Sequence, residues 1–338
     1  MPSVLVTGGA GYIGSHTVVE LVAAGYRPVI LDSFENSERS VIDNLQKLLG
    51  QEIVCYEQDY RDTAALKKVI TSEQIEGIIH FAAYKAVGES VQQPLRYYDN
   101  NVAGLVTLLE LLRKSAVKHF VFSSSCTVYG NPEKLPVTEG SPIQPAASPY
   151  GSTKQMAEII LRDATRAGTT MNAMALRYFN PIGAHPSALI GELPKGVPAN
   201  LIPFVTQTAI GLRDKLTVHG TDYPTPDGSC VRDYIHVVDL AKAHVKALRH
   251  LEKQSAGLYD VVNIGTGRGS SVLEVIQTFK KVTGQKLPYR VGPRREGDIV
   301  STYAAVDKAK QVLGWEAEKT LADALSDAWR WQQSLPIA

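Results

Sequence analysis

The chain has 338 residues, 44% hydrophobic and 20% charged, which is ordinary globular composition and leaves room for two domains sharing a boundary. Its 35 basic and 34 acidic side chains nearly cancel, so neither nucleic acid nor a membrane surface is expected as a partner. Three scattered cysteines, Cys55, Cys126 and Cys230, argue against a disulfide framework or a zinc site. They fit a cytoplasmic location, as does an opening apolar run too short for a signal peptide, and no run approaches the ~18 residues of a membrane span.

Residues 3–7 form a short apolar strand that runs into Gly8-Gly9-Ala10-Gly11-Tyr12-Ile13-Gly14. Helical periodicity follows over residues 15–24 and stops at Gly25, a natural C-cap. Residues 27–32 read as a second buried strand ending in Asp32. Strand, glycine turn, helix, strand and acid, in that order, predict a dinucleotide site. Gly8, Gly11 and Gly14 let the backbone turn, approach a pyrophosphate and seat the helix, whose free N–H groups favour the anion. A carboxylate at Asp32 suits the two hydroxyls of an adenosine ribose and repels a 2′-phosphate, so NAD is expected rather than NADP.

Strand and helix patterns then alternate over residues 53–57, 64–71, 77–82, 94–115, 118–124, 149–167 and 172–177. The expected fold is α/β, a Rossmann-type doubly wound parallel sheet, with ligands beyond the carboxyl ends of its strands. That rule singles out Asp59 and Tyr60, Phe81 to Lys85, Ser123 to Ser125, and Tyr178 to Asn180.

The stretch Tyr150-Gly151-Ser152-Thr153-Lys154 lies in this half, opened by Pro149, which suits a first helical position. Tyrosine and lysine four apart share a helix face. A free phenol has a pKa near 10 and is a poor base at neutral pH. A neighbouring ammonium favours the phenolate, and a drop of about three units needs roughly 4 kcal/mol. A hydroxyl at Ser125 can share the substrate proton, so Ser125, Tyr150 and Lys154 are the expected catalytic set.

Residues 181–338 read as a smaller mixed α/β substrate domain, set apart from a cofactor domain over residues 1–180. A proline-rich loop opens it, followed by patterns at 201–213, 216–219, 231–236, 238–252, 261–265, 271–283, 288–292 and 321–334. Arg232 and the pair Arg294-Arg295 suit a phosphate clamp.

These residues together resemble the extended short-chain dehydrogenase/reductases. Within them the chain is closely similar to the family of 4-epimerases that act on UDP-glucose and UDP-galactose. The resemblance runs from residues 6–16 to Trp329-Arg330-Trp331, through Lys85–Ser90, Tyr97–Val102, Leu176–Pro181, Val231–His236 and Arg294–Asp298. It implies resident NAD, proton removal from the sugar 4-hydroxyl by Tyr150 with Ser125, and a transient 4-ketose that turns over and is reduced on its other face. Lys154 would hold the nicotinamide ribose. The NAD site would comprise Gly8, Gly11, Tyr12, Ile13, Gly14, Asp32, Asn36, Ser37, Asp59, Tyr60, Phe81, Ala82, Lys85, Asn100, Ser123 and Tyr178, besides Tyr150 and Lys154. Asn180, Asn200, Leu201, Arg232, Arg295 and Asp298 would hold the UDP-sugar with Ser125 and Tyr150, and His219 would stand near the uracil. A homodimer would form through helices such as 94–115 and 149–167. The residue four after Asp298, Thr302, would gate the pocket near sugar carbon 2 and admit N-acetylated sugars, whereas a register one residue on would put Tyr303 there. A nucleotide-sugar 4,6-dehydratase is the competing reading, yet it needs an Asp-Glu pair where this chain has Cys126 and Thr127. A non-catalytic NAD-binding regulator is the other, and it would not need Ser125, Tyr150 and Lys154 together.

Overall fold

The computed structural model describes residues 1–167, 170–295 and 298–336; Glu296 and Gly297 of the expected Arg294–Asp298 stretch lie outside the described residues. In the first half the order is β1 (Ser3–Thr7), α1 (Tyr12–Ala23), β2 (Arg27–Asp32), α2 (Ser40–Leu49), β3 (Val54–Glu57), α3 (Thr63–Ser72) and β4 (Ile75–His80). Then come α4 (Val87–Gln92), α5 (Pro94–Tyr98), a π turn at Asp99–Ala103, α6 (Gly104–Leu112), β5 (His119–Ser125), α7 (Pro149–Arg166) and β6 (Asn172–Tyr178). The second half adds β7 (Asn180–Ile182), α8 (Leu201–Ala209), β8 (Leu216–His219), β9 (Val231–Arg232), β10 (Tyr234–His236) and α9 (Val237–Leu251). It continues through β11 (Tyr259–Ile264), β12 (Ser270–Ser271), α10 (Val272–Thr283), β13 (Tyr289–Gly292), β14 (Ser301–Thr302) and α11 (Leu321–Ser334).

The main sheet has seven parallel strands in the order β3-β2-β1-β4-β5-β6-β11. Its inner strands are apolar on both faces, as β1 with all five residues buried illustrates, because helices cover both sides. One face buries Val18, Leu21, Leu240 and Leu248 from α1 and α9. The other buries Leu66, Leu105 and Leu161 from α3, α6 and α7. A third core, with Val205, Phe279 and Trp329, lies among α8, α10 and α11. Helix starts are capped where the sequence has short polar residues: Asp62 accepts from Ala64 and Ala65 N–H at 3.1 and 3.0 Å, and Ser271 accepts from Glu274 N–H at 2.9 Å. No helix among the described residues is long and apolar enough to cross a membrane.

Two elements differ from expectation. The strand expected at 261–265 joins the main sheet, with Tyr259–Ile264 in register against residues 173–178, so a segment from beyond residue 180 completes the dinucleotide-type layer. The helix expected at 94–115 contains the π turn, whose extra residue per turn shifts Asn100 and Asn101 inward, where both are buried.

Three histidines carry a pH consequence. His16, His80 and His244 are fully buried, and burial pushes them down from 6.5 to about 3, 3 and 4. They stay neutral in the folded state while the unfolded chain takes up protons below its ordinary value, so stability falls as pH drops through 6.5. The slope starts at half of ~1.4 kcal/mol per unit for each at pH 6.5 and steepens below it, so the three together remove about 5 kcal/mol between pH 6.5 and 5. Urea midpoints measured at those two pH values should fall accordingly, and a His244→Gln variant should lose about a third less.

Candidate functional site

The carboxyl ends of β1, β2, β4, β5 and β6 meet where the strand order reverses between β1 and β4, the place at which open α/β sheets hold ligands. Gly8 has φ +71°, and a Cβ there would stand 2.8 Å from Ala82 N. At Gly14 a Cβ would collide with the Gly8 carbonyl and lie 2.8 Å from Gly9 Cα. At Gly11 a Cβ would meet only the Gly8 carbonyl, at 3.1 Å, so that flank of the turn is open to a ligand's close approach. Gly11 is also the N-cap of α1 and offers no side-chain cap to the first-turn N–H groups. Asp32 is buried at the end of β2 and accepts from Ala10 N–H at 3.0 Å, Phe34 N–H at 2.9 Å and Ser37 Oγ at 2.9 Å. A carboxylate beside a glycine turn and a bare helix start is the donor and acceptor set that a dinucleotide's ribose and pyrophosphate require.

On the far side of β4, Pro149 occupies the first position of α7, and Ser148 Oγ accepts from Gly151 N–H at 3.2 Å. Tyr150 and Lys154 therefore face the sheet, and both are buried. Lys154 Nζ donates to the Ser123 carbonyl at 2.6 Å and lies 4.8 Å from the centre of the Phe122 ring. Its distance to the Tyr150 ring centre is 5.8 Å. Burial pushes Lys154 down to about 7, against which the Glu158 carboxylate pulls upward. Tyr150 is driven well above its ordinary value by burial and by Tyr178, while the Ser125 hydroxyl favours the ionised form. The Tyr150 phenol is thus raised by burial in the protein alone rather than depressed as expected, and the Lys154 ammonium is bonded to the Ser123 carbonyl.

Around this centre the expected residues divide. Phe81 and Ala82 N–H both donate to the Thr7 carbonyl, at 2.9 and 3.1 Å, which sets them directly beside the glycine turn. Ser123 and Tyr178 are hydrogen-bonded to each other, and Asn100 Nδ2 donates to Asn101 Oδ1 at 2.8 Å. Tyr12 and Ile13 lie in the first turn of α1, Tyr12 Oη donating to the Gly183 carbonyl at 2.7 Å. Asn36 is exposed beside the buried Ser37. The Tyr60 side chain is committed elsewhere: its ring packs edge-on to His80 at 5.0 Å and its hydroxyl donates to the Asn100 carbonyl. Burial pushes the Asp59 carboxyl up, but the hydrogen bonds and charge of Arg61 outweigh it and hold it below the usual carboxylate range, and Lys85 is exposed, 3.6 Å from Glu192.

In the second half, Arg232, Asp298 and Arg295 come together, with Asp298 Oδ1 3.7 Å from Arg232 and 3.2 Å from Arg295. Asn180 follows β6 and donates through its N–H to the Asp233 carbonyl at 3.0 Å. Asn200 stands at the N-cap position of α8, ahead of Leu201, without a side-chain cap bond, and its Nδ2 donates to Glu192 Oε1 at 2.5 Å. His219 is exposed at the end of β8, 3.4 Å from the Pro293 carbonyl. Thr302 pairs with Arg232 across β14 and β9, so both side chains share one face. Tyr303 turns the other way, close enough that a Cβ on Gly269 would stand 3.1 Å from its Cδ1.

Sequence reasoning passed over Asn101 and Glu158. Asn101 ties Tyr84 N–H and C=O, both at 2.9 Å, to the Thr153 hydroxyl at 3.3 Å, joining the loop after β4 to α7. Its side-by-side repeat with Asn100 was the one available signal. Glu158 had the four-residue spacing from Lys154.

A family model described as GDP-mannose 4,6 dehydratase matches residues 5–328. The chain is 51% identical over 332 residues to the UDP-glucose 4-epimerase of Bacillus subtilis, covering 98% of this chain and 97% of that one. Among solved structures, the UDP-glucose 4-epimerase of Stenotrophomonas maltophila, with bound NAD and formylated UDP-arabinopyranose, superposes with a TM-score of 0.96 at 46% identity, over 99% of this chain and 98% of that chain. That of Bifidobacterium longum, in complex with NAD+ and UDP, gives 0.93 at 47%, over 98% of each chain.

Proposed function

The chain belongs to the UDP-glucose 4-epimerase family, within the wider group that the dehydratase model describes, and on that premise we propose that it interconverts UDP-glucose and UDP-galactose at carbon 4 through a transient 4-keto sugar, with NAD as cofactor. The observation that carries the reading is the arrival of Ser125, Tyr150 and Lys154 at the same strand ends as the glycine turn and Asp32. Residues 1–180 supply most of the cofactor site and residues 181–338 the UDP-sugar contacts.

Asp32 and Ser37 hold the adenosine ribose, the start of α1 the pyrophosphate, and Lys154 with Tyr178 and Ser123 the nicotinamide end. NAD, when bound, supplies a reversible hydride acceptor at carbon 4. Ser125 and Tyr150 hold the 4-hydroxyl between them, Tyr150 Oη takes its proton as the ketone forms, and the same atom returns it when the alcohol is rebuilt. A charged Lys154 favours the phenolate that this requires, and its low value of about 7 makes that charge responsive near neutral pH. Arg232 and Arg295 clamp the diphosphate by charge-assisted bonds, leaving the hexose free to turn about its link. Elimination is disfavoured at the positions that a dehydratase needs for its acid and base. Cys126 is pushed up to about 12 by burial, and Thr127 Oγ1 is buried without a partner.

The shared face of Thr302 and Arg232 favours Thr302 as the gate beside carbon 2, and hence acceptance of UDP-N-acetylhexosamines. Leu95, Val106, Met156 and Ile159, exposed on α5, α6 and α7, are the apolar surface for a homodimer in the cytoplasm.

The test is proton NMR of UDP-galactose with purified protein and no added NAD. A mixture with UDP-glucose is expected, and a 4-keto-6-deoxy product would overturn the assignment in favour of dehydration. With UDP-N-acetylgalactosamine, Thr302→Tyr should cut turnover at least about 10-fold while leaving UDP-galactose within about 3-fold. Equal loss on both sugars would remove Thr302 from the gate.

A further inference from the structure

Tyr150, Lys154 and Glu158 follow one another at four-residue spacing on α7, and all three are buried. Glu158 lies near Ala157 and Leu161 of the apolar helix–sheet layer, where a carboxylate is out of place unless held. Arg177 of β6 holds it by three contacts, Nε to Oε1 at 2.9 Å and to Oε2 at 3.2 Å, and Nη2 to Oε2 at 2.6 Å. Ser124 Oγ of β5 donates to Oε1 at 2.5 Å. Arg177 in turn donates to Tyr129 Oη at 3.0 Å, and Tyr129 to Asn263 Oδ1 at 2.6 Å, so the network reaches from α7 across β5 and β6 to β11.

A buried ion pair is a poor source of net stability, because desolvation offsets the attraction. Its position explains it better. Along β5 successive side chains alternate, so Ser124 faces α7 while its neighbours Ser123 and Ser125 turn to the reaction side. The Ser124–Glu158 bond therefore sets the height of α7 relative to the strand that carries Ser125 and the Ser123 carbonyl that receives Lys154. Lys154 is faced by Tyr150 and Glu158 from its own helix, by His80 from β4 and by the Phe122 ring from β5. Glu158 is the one acid in that set.

We propose that Glu158 is a positioning residue for the epimerisation, pinning α7 to β5 and β6 through Ser124 and Arg177 and setting a buried carboxylate one helical turn from Lys154. The proposal rests on the catalytic reading of Tyr150 and Lys154. Two separable effects follow, one of geometry and one of charge.

Rates should be measured against pH for the wild type, Glu158→Gln and Ser124→Ala, with NAD content and thermal midpoint recorded for each. Glu158→Gln keeps the shape and removes the charge, so the alkaline limb of kcat is expected to move to lower pH by about half a unit or more. Ser124→Ala keeps the charge and loosens the tether, so kcat is expected to fall about 3- to 10-fold with the limb unmoved and KM near wild type. A Glu158→Gln profile that matches the wild type, or falls equally at every pH, overturns the charge role. An unchanged kcat in Ser124→Ala overturns the tether. If Arg177 left alone prevents Glu158→Gln from folding, the Glu158→Gln/Arg177→Met pair removes two opposite charges together, so kcat is expected to fall as in Ser124→Ala while the limb moves less than half a unit, and an unchanged kcat in that pair overturns the tether. Failure of the underlying reading is distinguishable, because Tyr150→Phe would then retain activity.

Discussion

Tyr150→Phe is expected to lower kcat for UDP-galactose epimerisation by about 10³-fold, within the range that a general acid–base group contributes. The replacement removes one oxygen and leaves the ring, which packs with Tyr84 and Tyr97, with Tyr97 fully buried and hydrogen-bonded to Glu89 at 2.8 Å. The helix should therefore stay in place, with Lys154 still on the Ser123 carbonyl. Thermal midpoint and NAD content near wild type, with the large fall in kcat and a KM within a few fold, would be the signature of a lost proton carrier. Loss of NAD in the same variant would instead make Tyr150 a cofactor ligand first. Ser125 cannot replace it, because a hydroxyl without a charged partner does not become a base near neutral pH.

Gly14→Ala is expected to abolish cofactor retention. The new methyl meets the Gly8 carbonyl and Gly9 Cα, which are backbone atoms of the turn itself and cannot swing aside as a side chain would. Overpacking of this kind costs about 1–3 kcal/mol or more, and here relief comes only from opening the turn that receives the pyrophosphate. Acid extracts of the purified variant should contain less than about a tenth of the wild-type NAD. Gly88→Ala in α4 is the control: nothing lies within 4 Å of the place its methyl would occupy, and a helical Gly→Ala change should stabilise by about 0.5–1 kcal/mol. Normal NAD content in Gly14→Ala would remove the turn from the cofactor site.

What the sequence made legible was local. The glycine turn, the Pro149-led helix and the 321–334 helix announce themselves by spacing, capping residues and periodicity within a dozen positions, and the first core strands by uninterrupted apolar runs. What stayed hidden depends on partners far along the chain. Glu158 reads as an ordinary helix residue until Arg177 and Ser124 are brought to it. The Tyr60 hydroxyl finds its partner only when the π turn delivers the Asn100 carbonyl from 40 residues on. The four-residue spacing of Tyr150 and Lys154 gives a shared face but no information on burial, and burial sets the net direction in which the phenol moves.

The last strand of the main sheet has a consequence for biosynthesis. β6 emerges with residues 172–178 but stays an unpaired edge until residues 259–264 arrive to lie against it. A nascent chain that has passed residue 180 therefore holds every expected catalytic side chain and a sticky, apolar sheet border at once. Closure waits for residues 181–258, whose helix α9 must also settle against α1. Ribosome-bound or truncated chains ending near residue 180 should aggregate or recruit chaperones, whereas chains extending past residue 264 can complete the layer.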